Sequence, residues 1–558
     1  MMKKWIVLTV ALALIAALLS GCALPALLFG LMGNTGTRTV EEAPYEYETL
    51  DGGDMFYEAE DVANMKMATT AAAGYVPMPM PYDYGDFNTE EYAAIDENGF
   101  KKVATDPLST FSADVDTASY CNLRRMLNDG WTPEEIPSGA VRVEEMLNYF
   151  RYDYAAPEDD AKFGVTAQLA PCPWNPDNVL LALGVRAADA PEVSEEGSNL
   201  VFLVDVSGSM YDPNKLPLAK RAMSALVDEL TEKDTVSVVT YASGEEILIE
   251  GANPVKDKAK LLSAIDSLYA EGSTNGQRGL AQAYEVAQKY LRPKGNNRVI
   301  MCSDGDLNVG ITSESELHDF VTEKKQTGIY LSVLGFGEGN YKDTKMETLA
   351  DDGNGNYYYI DSMLEARKVL CEELTQTLYA VADDVKFQIE FNPAKVAAYR
   401  QIGYENRALD NQDFEDDTKD AGEVGAGACV TVLYELVPAG EPSENSDLKY
   451  QQSALTEAAE SGEWLTLSTR YKEPGQSESQ LETTVVDESA ITDTPSGDTL
   501  FAAAVAEFGM ILSGSSYRGE ATYDTVLELL KQAPLSDPYR EEFFSLVKIA
   551  QRSEALQD

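Results

Sequence analysis

The sequence predicts an α/β fold: a doubly wound, Rossmann-like sheet flanked by a β-rich domain and a C-terminal helical segment. Two apolar runs, 201–204 and 299–302, lead into Asp205 and Asp304, as buried strands of a parallel sheet lead into a binding crevice. Strand-like and helix-like stretches alternate between about 198 and 378. Beyond this core the apolar period changes to two, and later to the helical spacing.

Length and charge limit the classes of protein. At 558 residues the chain is too long for one ordinary core, and we expect three or four units. It carries 94 acidic residues against 43 Lys and Arg residues, a formal net charge of −51. Nucleic acid and anionic membrane surfaces repel such a chain, so neither is expected as a partner.

The histidine and cysteine contents exclude several chemistries. The single histidine, His318, excludes a His-rich zinc site and argues against a Ser-His-Asp triad. The six cysteines are scattered without a C-x-x-C pair, so the sequence predicts neither a zinc site nor a disulfide framework. A pair between Cys121 and Cys172 stays open.

The N-terminus has the features of an export signal. Two lysines precede an apolar run at 5–19, and Ser-Gly-Cys22 follows it. This end resembles the lipobox of bacterial lipoproteins. The resemblance implies a signal peptide and lipobox at 1–22, lipidation of Cys22, and an anchor on the extracytoplasmic face of the cell membrane. Because residues 23–32 stay apolar, a retained transmembrane helix over 5–32 is the alternative.

Residues 23–98 are predicted to form a flexible acidic tether. They are rich in acidic residues, Tyr, Met and Pro, and they show no steady apolar period. The tether would hold the folded part of the chain away from the membrane. Short partner-binding motifs within it are the alternative.

Order resumes in the region 99–195. Apolar spacings predict, in this order, helices near 122–127 and 143–150 and strands at 163–169 and 179–185. Asp114 and Asp116 are interpreted as part of a turn rather than as a metal site.

The core, at 196–380, alternates strands and helices as a doubly wound sheet requires. Apolar residues at i, i+3, i+4 and i+7 from Met223 mark one helix face. The further predicted elements are strands at 236–241, 246–250 (an edge strand), 329–335 and 356–361, and helices at 258–269, 277–291 and 362–379.

The residues after the first apolar run indicate a metal site. Asp205, Ser207 and Ser209 alternate there, and Gly208 lets the turn tighten, so one carboxylate and two hydroxyls can converge. Hard oxygen ligands of this kind suit Mg²⁺ or Mn²⁺ rather than zinc. Capping of the following helix by the serines is the alternative.

Two further stretches complete a pattern. Thr274 lies in a Gly-Ser-Thr-Asn loop, and Asp304 ends the second apolar run. D-x-S-x-S, the Gly-Ser-Thr loop and the strand ending in Asp-Gly together resemble the metal-ion-dependent adhesion site of von Willebrand factor A (VWA) domains. All five positions of that site are present, namely Asp205, Ser207, Ser209, Thr274 and Asp304. The resemblance covers about 198–378, one domain's length.

This resemblance implies how the site would work. Ser207 and Ser209 would bind Mg²⁺ or Mn²⁺ directly, and Thr274 would change between direct and water-mediated contact. Asp205 and Asp304 would hold ordered waters. With few direct carboxylates the ion stays electron-poor, so its last coordination place would take a carboxylate of a partner protein.

Beyond the core, a period of two predicts a β-rich region at 381–475. We expect it to pair with the strands of 163–185, which would make the core an insertion whose two ends emerge side by side. A Ser/Thr/Glu/Asp-rich stretch at 476–498 is predicted to be a loop, and 499–558 a helical region.

Two segments, 111–120 and 501–509, resemble the N-terminal VWA-associated domain and the C-terminal domain of unknown function of a bacterial cell-envelope lipoprotein family. The leading hypothesis is a membrane-anchored, extracytoplasmic protein-binding module, not an enzyme, whose metal recognises an exposed Asp or Glu of a partner. A structural envelope protein with a stabilising metal is one alternative. A Mg²⁺-dependent hydrolase is another: no D-x-D-x-T or G-x-x-x-x-G-K-[ST] pattern supports it, and Asp306 would be its spare carboxylate.

Overall fold

The computed structural model of the protein describes residue 92 and most of the chain from 94 to 556. Outside the described residues lie 1–91, 93, 160, 190–195, 274–275, 306–313, 339–342, 374–375, 377–378, 420, 441–454 and 557–558. The predicted signal peptide with Cys22, and nearly all of the tether, therefore fall outside the described part. All elements below belong to one structural unit, Asp83–Asp558. In this described part, no helix reaches the length and hydropathy that a membrane crossing requires.

Three stretches of the chain supply the elements. Before the core come β1 (Lys101–Lys102), β2 (Leu108–Ser112), α1 (Ala118–Asn128), α2 (Val143–Asn148), β3 (Phe163–Pro171) and β4 (Val179–Ala187). The core holds β5 (Ser198–Asp205), α3 (Leu216–Glu229), β6 (Thr235–Tyr241), β7 (Glu245–Ala252), α4 (Lys258–Asp266), α5 (Gly276–Lys289), β8 (Asn296–Ser303), α6 (Glu314–Lys325), β9 (Tyr330–Phe336), α7 (Asp343–Asp352), β10 (Tyr357–Ile360) and α8 (Met363–Arg367). After it come β11 (Ala380–Phe391), β12 (Val396–Ile402), β13 (Gly422–Gly425), β14 (Cys429–Pro438), β15 (Glu463–Lys472), β16 (Ser479–Asp487), α9 (Gly497–Leu512), α10 (Tyr523–Gln532) and α11 (Pro538–Ala555).

The core is a six-stranded sheet in the order β10-β9-β8-β5-β6-β7. The strands from β10 to β6 are parallel, and β7 pairs with β6 as an antiparallel edge strand. Because β5 lies inside the sheet and every one of its residues is buried, an unbroken apolar run suits it. The predicted doubly wound fold is confirmed.

Helices cover both faces of this sheet. Val201 and Leu203 of β5 belong to the hydrophobic cluster shared with α5, α6 and α7. Phe202 and Val204, on the opposite face, belong to the cluster shared with α3, α4 and α8. Burying an apolar side chain of this size stabilises the fold by about 1.5–3 kcal/mol. Because successive side chains of β5 point to opposite faces of the sheet, this one strand stabilises the packing of helices on both faces.

The flanking strands form two antiparallel sheets. One has the order β1-β12-β14-β4-β3, and the other has the order β13-β11-β15-β16 with β2 also paired to β11. Their inner faces share one hydrophobic cluster that includes Leu181 and Val432 from the first sheet and Phe387 and Leu465 from the second. The flanking region is therefore a β sandwich.

Strands from before and after the core pair with each other. β4 and β14 are antiparallel, with Arg186 opposite Cys429 at one end and Val179 opposite Leu436 at the other. The pairing expected between these two regions is present, and the core is inserted between two strands of the sandwich.

The two ends of this insertion are held by neighbouring residues. The Gly427 N–H donates to the Ala188 carbonyl at 2.9 Å, just after β4. The Ala426 N–H donates to the Tyr379 carbonyl at 2.8 Å, just before β11. The chain thus leaves the sandwich and returns to it at adjacent positions.

The prediction of a loop at 476–498 is wrong, because β16 lies within this stretch and pairs antiparallel with β15 from Ser479 to Asp487. β16 is an edge strand, and four consecutive β-branched residues, 483–486, favour an extended backbone. An edge strand with an exposed face needs few apolar residues, so its polar composition resembled that of a loop.

The helix predicted at 362–379 is shorter than expected. α8 ends at Arg367, and a π-helical turn follows at Lys368–Glu372. The buried Lys368 ammonium pairs with Glu373 at 3.0 Å and lies 4.3 Å from the centre of the Tyr149 ring. The end of the core thereby contacts the residue that follows α2.

The C-terminal region is helical, as predicted. Its three helices each begin at a side-chain N-cap, provided in turn by Ser496, Thr522 and Asp537. Phe501 of α9 and Phe543 of α11 pack edge-to-face on Phe150, with ring centres 4.8 and 5.5 Å away. The helices therefore share a hydrophobic cluster with α1 and α2.

Candidate metal centre

The carboxyl ends of β5 and β8 bring two predicted site residues to one edge of the core sheet. The strands are parallel neighbours, and Val204 lies opposite Cys302. Asp205 is the last residue of β5, Asp304 follows the last residue of β8, and both side chains are buried. We call Asp205, Ser207, Ser209 and Asp304 the metal edge.

The loop after β5 arranges oxygen atoms rather than capping a helix. The Ser207 N–H donates to Asp205 Oδ1 at 2.8 Å, and the Ser207 and Ser209 hydroxyls lie 3.0 Å apart. Ser207 makes no side-chain cap to the short 3₁₀ turn Gly208–Tyr211, and the first long helix begins later, at Leu216. The capping alternative is therefore wrong for Ser207.

A second loop reaches the same place. The Gly208 N–H donates to the Gly272 carbonyl at 3.0 Å, and the Ser273 N–H donates to the Ser243 hydroxyl at 3.0 Å. Gly272 has φ of +84°, and a Cβ there would meet Ser243 Oγ at 2.5 Å, so this position requires glycine. Thr274 itself lies outside the described residues, and the structure places the chain up to the residue before it.

Burial dominates the electrostatics of Asp205. It raises the pKa of this carboxyl to about 7, and the bonds from Ser207 oppose the shift while the nearby Asp304 adds to it. A carboxylate taken out of water gains most from a cation beside it. The metal edge is therefore a place where a positive charge would be strongly favoured.

Sequence reasoning missed one member of this site. The Lys215 ammonium lies 3.0 Å from Asp304 Oδ2, and both side chains are buried. A Cβ added at Gly337, which has φ of +82°, would overlap the lysine side chain. No spacing rule marks one lysine before a helix as a site residue, so only the tertiary contact identifies it.

The donor set fits a hard divalent cation. The metal edge offers two hydroxyls within 3.0 Å of each other and two buried carboxylates, and none of its members is a histidine or cysteine. Oxygen donors of this kind suit Mg²⁺ and Mn²⁺. Ser207, Ser209 and Thr274 would hold the ion, with Asp205 and Asp304 behind them.

Three family profiles match the chain, in order along it. Residues 86–182 match "von Willebrand factor", residues 199–372 match "von Willebrand factor type A domain", and residues 376–553 match "Uncharacterized protein YfbK, C-terminal". The second stretch contains all five predicted metal positions.

A relative that aligns over most of both chains shows the family. The chain is 42% identical over 472 residues to Uncharacterized protein YfbK of Escherichia coli (strain K12), which covers 83% of this chain and 81% of the relative. The chain belongs to the YfbK family. It consists of a VWA domain followed by the YfbK C-terminal domain, with a further matched region before them.

Other relatives share a smaller part with this YfbK-family chain. Uncharacterized protein sll0103 of Synechocystis sp. is 30% identical over 169 residues, 30% of this chain and 39% of the relative. Human inter-alpha-trypsin inhibitor heavy chain H3 is 26% identical over 174 residues, 29% of this chain and 19% of the relative. The solved structure "von Willebrand factor type A from Catenulispora acidiphila" is 15% identical with a TM-score of 0.38, covering 72% of this chain and 91% of that one.

A second group in this YfbK-family chain has the composition of a cation site but already holds a cation. Cys121, Asp361 and Glu365 lie close enough for one ion. Arg124 Nη2 donates to Asp361 at 2.6 Å and to Glu365 at 2.8 Å, and it lies 3.5 Å from Cys121 Sγ. We call this the Arg124 cluster, and its guanidinium takes the place that a metal would take. Cys121 and Cys172 are both free thiols, so the open pairing is absent.

The two aspartates interpreted as a turn do form one. The Asp116 N–H donates to Asp114 Oδ1 at 2.8 Å. Arg407 contacts both carboxylates, at 3.1 Å from Asp114 and 2.9 Å from Asp116. It also reaches Glu347 at 3.2 Å and Asp351 at 2.8 Å, and we call this group the Arg407 cluster.

Proposed function

We propose that this YfbK-family chain is a membrane-anchored, extracytoplasmic protein-binding module. A divalent ion at the metal edge would recognise an exposed Asp or Glu of a partner protein. The observation that carries this proposal is the pair of serine hydroxyls, 3.0 Å apart, in front of two buried carboxylates at the carboxyl ends of parallel strands. The match to the VWA family supports it.

The chemistry of the site favours binding over hydrolysis. When bound, Mg²⁺ or Mn²⁺ supplies a concentrated positive charge with few direct carboxylate ligands, so it attracts an anionic oxygen from outside. Ser209 is exposed while Asp205 and Asp304 are buried, which directs the open side of the site outward. Asp306, the base that a hydrolase would use, lies outside the described residues.

Two exposed aromatic side chains line a groove that begins at Met210, the residue after Ser209 of the metal edge. Tyr211 is 69% exposed and Tyr269 is 65% exposed. This groove of about 680 Å³ lies between them and runs along α3, and its lining includes Met210, Leu216, Lys220 and Arg221. Tyrosine and arginine are enriched where proteins bind each other, so this surface suits the rest of the partner's contact.

A crosslinking experiment tests the partner. A photoreactive side chain at Tyr269 should give an adduct from envelope extract with Mg²⁺, and the adduct should disappear with a chelator or in Ser207→Ala. The same probe at Leu481, which is 55% exposed on β16, serves as the matched control and should give no metal-dependent adduct.

The outcomes separate the alternatives. Adducts at Tyr269 that do not change with metal would contradict the proposal. Metal-dependent stabilisation without any metal-dependent adduct would favour a structural envelope protein. Mg²⁺-dependent turnover in a phosphatase and esterase screen would favour a hydrolase.

Anchoring would come from lipidation of Cys22. Mass spectrometry of the mature N-terminus, purified from membranes, should find a lipidated cysteine at this position. An intact N-terminus that begins at Met1 would instead support a retained helix over 5–32.

A further inference from the structure

The Lys215 side chain is built into the metal edge although it belongs to none of the five predicted ligand positions. Its ammonium lies 3.0 Å from Asp304 Oδ2, with the lysine side chain 8% and the aspartate side chain 2% exposed. Its own N–H donates to the Asp212 carbonyl at 3.0 Å, which fixes the backbone before α3.

The loop after β9 leaves the space through which this side chain passes. Gly337 follows β9 with φ of +82°, and any side chain there would overlap the aliphatic part of Lys215. The lysine therefore reaches Asp304 through a space that only glycine leaves open.

We propose that Lys215 is a fixed countercharge that makes the metal-loaded site require a partner carboxylate. This inference rests on the proposed function. Asp205, Asp304 and Lys215 together carry one negative charge when both carboxylates are ionised. A divalent ion changes this to one positive charge, and a single carboxylate from outside makes the site neutral.

Without Lys215, the divalent ion alone would balance the two carboxylates. A buried site with an unbalanced charge costs more free energy than one whose charges balance. Lys215 therefore weakens binding of the ion alone and strengthens binding of the ion together with a carboxylate. Because coupling between two ligands is reciprocal, metal and partner each increase the affinity of the other.

Titration calorimetry of the full chain with Mn²⁺, with and without saturating acetate as the carboxylate, tests this role. In the native protein acetate should tighten Mn²⁺ binding. Lys215→Met should bind Mn²⁺ alone roughly tenfold more tightly than the native protein, a change within the usual range of coupling between two sites. Acetate should no longer tighten Mn²⁺ binding in this variant.

A matched control removes a different paired lysine. Lys289 lies at the far end of α5 and pairs with Glu250 at 2.7 Å, so Lys289→Met makes the same charge change away from the site. It should behave as the native protein does. Lys215→Gln keeps a hydrogen-bond donor for Asp304 and should show the same shifts as Lys215→Met, which covers the case in which the methionine variant folds poorly.

The results distinguish this inference from the function on which it rests. If the native protein binds Mn²⁺ and both Lys215 variants keep its affinity and its response to acetate, the countercharge role is wrong and the metal site stands. If neither the native protein nor the variants bind Mn²⁺, both proposals are wrong.

Discussion

The Arg407 cluster and the metal edge both collect carboxylates, but the cations that meet them differ. At the Arg407 cluster one guanidinium, on a side chain that is 12% exposed, contacts four carboxylates at 2.8–3.2 Å. At the metal edge the Lys215 ammonium pairs with one of two buried carboxylates, Asp304, and two serine hydroxyls lie beside the other, Asp205. A guanidinium offers five donors in a rigid fork, whereas an ammonium is a single compact charge. The first group is thus satisfied by the chain itself, and the second is suited to an ion from solution.

The two kinds of carboxylate group also serve different purposes: one holds parts of the chain together, and the other forms a candidate binding site. The Arg407 cluster joins the turn before α1, helix α7 of the core and the segment after β12. The Arg124 cluster joins α1 to the end of the core, and Arg124 also contacts Glu542 of α11 at 3.0 Å. Acids beside a guanidinium therefore fasten parts of the chain together, while acids beside hydroxyls form a candidate binding site.

The largest expected effect comes from removing the resident cation of the Arg407 cluster. Arg407→Met leaves the buried Asp114 and Asp116 without their partner, and breaking a buried pair in this way costs about 3–5 kcal/mol of unfolding free energy. Urea unfolding measures it. The exposed pair of Lys289 is the control, and Lys289→Met should change the free energy little. Equal losses in the two variants would contradict the assigned role of the cluster.

The metal edge should respond to an added ion. A hundredfold excess of Mg²⁺ or Mn²⁺ over its dissociation constant stabilises the folded state by about 2.7 kcal/mol, so the melting temperature should rise. Ser207→Ala and Asp304→Ala should abolish the rise. Ser545→Ala, on α11, should keep it. Identical melting curves of the native protein with and without metal would contradict the assignment of the metal edge as an ion site.

Glu507 is a buried acid that accepts a hydrogen bond from a hydroxyl, and it should make the stability of the protein depend on pH. Burial raises the pKa of Glu507 from 4.5 to about 7, although the Thr525 hydroxyl, donating at 2.9 Å, opposes the shift. Folding favours the protonated form, so the stability from this group is complete below pH 4.5 and is lost as the pH rises through about 7. The unfolding free energy of Glu507→Gln should exceed that of the native protein by about 3 kcal/mol at about pH 8 and equal it at about pH 4.

Urea unfolding across this pH range measures the effect. The matched control is Glu457→Gln, which changes an exposed side chain and should give no such difference. A constant difference between Glu507→Gln and the native protein at all pH values would show that packing, and not ionisation, separates them.

The smallest effect concerns the rate of partner association. The chain's net charge of −51 repels an acidic partner over a range that salt limits to roughly 8–10 Å, while a metal–carboxylate contact is screened much less. Raising monovalent salt to the physiological level, with metal saturating, should leave the association rate unchanged or faster. Stopped-flow mixing with the crosslinked partner tests this. A steep fall with salt would mean that a basic surface guides binding.

Much of the fold can be predicted from local sequence pattern. The parts that could not be predicted share one cause: each depends on contacts or surroundings that the local sequence does not record. The runs leading to Asp205 and Asp304 are buried parallel strands, and such strands need continuous apolar sequence, which is visible. β16 was missed because an edge strand can be mostly polar. Lys215 and Arg407 were missed because each acts through carboxylates far away in sequence, which no spacing reveals.

The adjacent attachment of the core's two ends has a mechanical consequence. A partner that pulls on the metal edge would draw the force through the core sheet to two covalent connections at once, beside Ala426 and Gly427. The Arg407 cluster, which joins α7 of the core to the segment after β12, would share this load. The inserted core is thus held to the sandwich by two covalent connections that lie side by side.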